Sequence, residues 1–143
     1  MKLQSWFIEA GKNSCLAQAY IAAGIMNKAN LDDYTLAVTI SATLMSAYND
    51  GLLGPDFYVK DAVALIEYAC GEKATVEKKV IESCKDLPLG YAAVEFKKDD
   101  KSHFVLCKDG FVVYDGLEKS VCRMEGKPVS ARIIKFIGEN KWH

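Results

Sequence analysis

Histidine is nearly absent from this chain: His103 and the C-terminal His143 are the only two in 143 residues. Any histidine chemistry therefore falls on His103, because a side chain at the frayed end of a chain is a poor place to build a site. Other absences narrow the reading. With 18 basic side chains against 19 acidic ones, there is no positive excess to attract nucleic acid or an anionic membrane surface. No apolar run is long enough to cross a bilayer, and Met1 to Glu9 has neither the uninterrupted apolar core nor the cleavage site of a secretory leader. The five cysteines, at 15, 70, 84, 107 and 122, are odd in number and include no Cys-x-x-Cys pair. Free thiols in a reducing, cytoplasmic setting fit that pattern. Cys107, Cys122 and His103 lack the spacing of a metal motif, so the expectation is a protein with neither metal nor cofactor.

Half of the residues are hydrophobic, enough for one domain with a substantial core over residues 1–143. No repeat, linker or low-complexity segment divides it. The first half, to about residue 71, reads as helix. Leu3, Trp6, Phe7 and Ala10 have helical spacing and Gly11 stops them. A second helix follows to about Met26, apolar nearly all round and hence buried. A third, capped within Asn30 to Asp33, carries two apolar stripes and is expected to be largely buried as well. A fourth runs from Val59 to Cys70 with Gly71 as its cap. After Gly71 the period changes from 3.6 to 2. Thr75 to Ile81 is an edge strand or a short helix. Tyr91 to Phe96, His103 to Cys107, Phe111 to Asp115 and Ala131 to Ile137 are strands, with turns at Leu87 to Gly90, Lys97 to Lys101 and Gly126 to Pro128. Helices first and an antiparallel sheet second make the fold class α+β.

Cys15 stands at the start of the buried helix, behind Ser14 or Asn13 as N-cap. Unpaired backbone N–H groups and the positive end of the helix dipole favour a thiolate there. His103 finds a partner through the hairpin that follows it. A three-residue loop, Lys108-Asp109-Gly110, pairs Cys107 with Phe111 and so sets His103 opposite Asp115, on one face. A two-residue Asp109-Gly110 turn would place Asp115 beside Phe104 instead. The first register is the expectation, since it puts two polar residues on the same face. Cysteine at a helix start, histidine at a strand start and aspartate at the end of the next strand have the order of a thiol triad. The imidazole moves the proton, the carboxylate fixes its tautomer, and the thiolate attacks an acyl carbon.

Asn13-Ser14-Cys15-Leu16-Ala17-Gln18-Ala19 resembles the nucleophile segment of papain-like cysteine peptidases. Ser102-His103-Phe104-Val105-Leu106 and Val112-Val113-Tyr114-Asp115 are similar to the His-Phe-Val and Tyr-Asp-Pro segments of their bacterial double-glycine peptidase relatives. Over most of its length the chain also resembles a family of unassigned activity carried on spirochaete plasmids and prophages. The residues concerned are Leu3-Gln4, the His103 to Asp115 hairpin, and Val121 through Gly126-Lys127 to Ser130-Ala131-Arg132-Ile133-Ile134. The resemblance implies a papain-like fold and a cysteine hydrolase with Cys15 as nucleophile, His103 as base and acid, and Asp115 as orienter. A peptide or protein would be its substrate, with no nucleic acid or membrane partner. The alternatives are an inactive papain-like domain that binds a partner protein and a thiol acyltransferase using the same residues. Two positions depart from the pattern. Glu9 stands near where the peptidases carry an oxyanion glutamine, leaving that role to Gln4, or to the backbone and Asn13. Gly116 stands where relatives often have proline.

Overall fold

The computed structural model describes residues 14–116 and 121–137, the side chains of Val121 and Cys122 excepted. The expected helix near residues 3–10 lies outside them, as do Gln4 and Asn13. In chain order the elements are α1 (Cys15–Lys28), α2 (Asp33–Asn49), α3 (Ala62–Cys70), β1 (Ala74–Val80), β2 (Tyr91–Lys98), β3 (Lys101–Lys108), β4 (Phe111–Tyr114), α4 (Val121–Glu125) and β5 (Lys127–Phe136). Helices precede an antiparallel sheet, the α+β arrangement that the change of period implied.

The helix ends follow local chemistry. Asp32 accepts the Thr35 N–H at 2.8 Å and starts α2. Asp61 accepts the Ala64 N–H at 3.1 Å and starts α3, three residues later than the apolar spacing suggested. Gly71 closes α3 in the left-handed conformation that a side chain resists. Every residue of α1 from Ala17 to Ile25 is buried, because α2, α3 and the strands β2 and β3 all pack against it. The expectation for α2 needs correction. Only Leu36, Ile40, Leu44 and Ala47 are buried, while Tyr34 is 80% and Val38 50% exposed. This helix lies outside the layer, so one stripe meets α1 and α3 and the other meets water.

The sheet order is β1-β5-β2-β3-β4. β1 is a strand rather than a helix, and its lysines and glutamate suit the edge it occupies. Strand alternation divides the core in two. Tyr91, Ala93, Leu106, Ile134 and Phe136 face the helices. Ala92, Val94, Phe96, Val105, Cys107, Ala131 and Ile133 form a second cluster with Ile81. β5 begins at Lys127, so part of the expected turn belongs to the strand. Pro128 is accommodated there because the pairing of β2 with β5 shifts between Glu95 and Phe96.

The hairpin between β3 and β4 departs from the expected register in an informative way. Lys108 pairs with Phe111 and Cys107 with Val112, which is the two-residue turn. Asp109 and Gly110 have φ of 53° and 86°, the positive values that a type I′ turn requires. Asp109 fixes the turn by accepting the Gly90 N–H at 2.7 Å and donating its own N–H to the Gly90 carbonyl at 2.9 Å. That register alone would carry Asp115 to Phe104. A β-bulge intervenes: Leu106 pairs with Tyr114, leaving Val113 as the extra residue. Asp115, next along the chain, thereby regains the face that His103 shares with Val105 by alternation.

Candidate active site

Cys15 is the first residue of α1, behind Ser14 at the N-cap. The expected cap bond is replaced: the Ser14 hydroxyl accepts the Gln18 amide N–H at 2.9 Å. The backbone N–H of Gln18 is bonded to the Ser14 carbonyl at 2.8 Å, so the N–H groups of the first turn before it have no acceptor within the helix. Cys15 is half-buried and close enough to His103 for its side chain to help hold the proton on the ring.

His103 sits near the start of β3 with its side chain 3% exposed. Its Nε2 lies 2.6 Å from Asp115 Oδ1. That bond occupies one of the two ring nitrogens. Burial disfavours the imidazolium, but hydrogen bonds from the ring to Asp115 and Cys15, and their negative charges, outweigh it. The ring pKa is raised from 6.5 to about 9. At neutral pH the ring is therefore a cation held between Cys15 and the Asp115 carboxylate. The structure brings together all three residues singled out as a triad.

Two supporting contacts were not foreseen. Arg123, on the short helix α4, places Nη1 3.3 Å from Asp115 Oδ2. The carboxylate, 4% exposed, is thus engaged at both oxygens. A five-residue helix has too few turns to show periodicity, so nothing in the sequence drew Arg123 to the site. Gln18 is the second. Its Oε1 accepts the Tyr114 hydroxyl at 2.6 Å while its Nε2 reaches Ser14. A signal did exist for it: the one amide in the apolar stretch from Leu16 to Ile25 must find partners once buried. Gly116 also gains a reason. A Cβ there would stand 2.3 Å from Gln18 Oε1, so proline, like any residue with a side chain, is excluded unless the amide moves.

Elsewhere, Cys107 is fully buried and its thiol is pushed up to about 12, by burial first and then by the neighbouring Cys84, which hydrogen-bonds it. Cys70 is buried and free, with its thiol directed to the Ile66 carbonyl at 3.3 Å. Among the described residues no three His, Cys, Asp or Glu side chains gather as metal ligands, and no helix is long and apolar enough to cross a membrane. No family model matches this chain, and neither the curated proteins nor the solved structures include a match.

Proposed function

We propose that the protein is a cysteine hydrolase of papain-like design, acting on a peptide or isopeptide bond in a reducing, cytoplasmic setting. The observation that carries this reading is the His103 ring held between the Cys15 thiol and the Asp115 carboxylate. The attacking form is a Cys15 thiolate beside the His103 imidazolium. The sulfur attacks the acyl carbon. Electrons move onto the carbonyl oxygen, which backbone N–H groups at the start of α1 stabilise. As the C–N bond breaks, His103 gives its proton to the departing amine and a Cys15 thioester remains. The now neutral ring takes a proton from water, hydroxide displaces the sulfur, and the acid leaves with the thiolate–imidazolium pair restored. Asp115 keeps the ring turned and supports its charge throughout, while Arg123 holds the far oxygen of Asp115.

The test is alkylation of Cys15 by iodoacetamide at pH 6, followed by peptide mass spectrometry. Wild-type protein should react about ten-fold or more faster than His103→Ala, the variant that removes the cationic partner. Asp115→Ala should slow the reaction less, because it only positions the ring. Equal rates for wild type and His103→Ala would remove the hydrolase reading and leave a non-catalytic domain.

A further inference from the structure

Among the described residues Ser14, Gln18, His103 and Ser130 are polar and buried as whole residues, and the Asp115 side chain is 4% exposed. All but Ser130 belong to one constellation, so burial of polarity is concentrated at the candidate site. A buried amide is costly unless both its ends are bonded. An apolar residue of similar shape would serve packing alone at less cost, so the partners of Gln18 indicate what it adds. Its oxygen accepts the Tyr114 hydroxyl and its nitrogen donates to Ser14. Ser14 is the residue before the nucleophile, and Tyr114 is the residue before the triad carboxylate. On a third side the amide meets the backbone of Gly116, the residue after that carboxylate, where even a Cβ would collide with it.

We propose that Gln18 is a positioning residue that fixes the spacing between Cys15 and the His103–Asp115 pair. The inference rests on the hydrolase reading of the same site and adds the element that sets its geometry. α1 and β4 are joined near the site by this amide, through residues one position removed from each reacting group. Loss of either bond frees the helix start to shift along the strand end, and thiol–imidazole contact is sensitive to displacements of that kind. Gln18 touches neither substrate nor reacting atoms and acts only through its neighbours.

The experiment is a double-mutant cycle on Cys15 alkylation by iodoacetamide at pH 6, with circular dichroism confirming that each protein is folded. Gln18→Met should slow Cys15 about ten-fold when His103 is present, and less than about two-fold in the His103→Ala background, where no ring remains to be placed. Tyr114→Phe, which cuts one bond and keeps the aromatic ring, should slow it about three-fold with the same dependence on His103. It serves as the milder variant if Gln18→Met does not fold. Retention of wild-type rates by both variants would overturn the proposal. So would equal slowing with and without His103, which would mark Gln18 as a packing residue and leave the hydrolase reading intact. If His103→Ala itself fails to slow Cys15, both the reading and the inference fall.

Discussion

The buried His103 makes stability depend on pH in a defined window. Its pKa is raised to about 9 by Asp115 and Cys15 against the cost of burial, whereas in the unfolded chain it returns to about 6.5. Between these values the folded His103 ring holds a proton that the same ring in the unfolded chain has released. The slope of unfolding free energy with pH is therefore negative there. The stabilisation is complete below about pH 6.5 and lost as pH rises through about 9, and that interval is worth about 3 kcal/mol at about 1.4 kcal/mol per pH unit. The ring is 3% exposed, so solvent screening takes little from the figure. The raised thiols of Cys70, Cys84 and Cys107 act with the same sign, but only above their ordinary value of 9.0, and so fall outside this window. Urea titrations in reducing buffer should show wild-type stability falling by about 3 kcal/mol across the window and His103→Gln changing much less. Asp115→Asn, which weakens the ring's hold on its proton, should move the loss to lower pH. A flat wild-type profile, or one that His103→Gln reproduces, would refute the reasoning.

Deletion of Val113 should leave Cys15 reactivity near wild type, because the bulge already excludes that residue from the register that Tyr114 and Asp115 follow; a folded deletion variant with an unreactive Cys15 would contradict this. Gly116→Ala must displace the Gln18 amide from two hydrogen bonds and should cost about 2 kcal/mol in chemical denaturation. Leu65→Ala, at a fully buried position of α3, should cost between about 2 and 5 kcal/mol by the same assay. Cys107 should resist alkylation at pH 8 in the native protein and react in urea, since its thiol is buried and pushed up to about 12.

Periodicity and capping chemistry made most of the architecture legible. Gly71 ends α3, and the alternation of Ala92, Val94 and Phe96 marks one face of β2. The failures have physical causes. Burial of the second stripe on α2 depends on where the helix lies in the layer, and Tyr34 and Val38 look the same in sequence on either side of it. The helix at Val121 to Glu125 is too short for its pattern to be seen. At the site, Cys15, His103 and Asp115 were each readable from type and order. The contact of His103 with Asp115 was expected from a three-residue loop; it arises instead from a two-residue turn plus a bulge. Matching polar residues across a face identified the right pair, because burial forces a carboxylate and an imidazole to share a partner whichever way the backbone achieves it. Turn type was decided by Gly90, whose two hydrogen bonds to Asp109 are long-range and invisible locally.

The link between Tyr114 and Gln18 spans 96 positions of chain, and this separates the synthesis of Cys15 from that of His103 and Asp115. Gln18 is synthesised 96 positions before Tyr114, so the residues of α1 leave the ribosome well ahead of those of β4. At ribosomal rates of about 5–20 residues per second, the interval is on the order of 5–20 s. Through all of it Cys15 has neither an imidazole nor a brace, and reacts as an unassisted thiol. Only when β3 and β4 join the sheet does Cys15 meet the His103 ring and the Gln18 amide meet Tyr114, so folding, and not synthesis of the residue itself, sets the surroundings of the thiol.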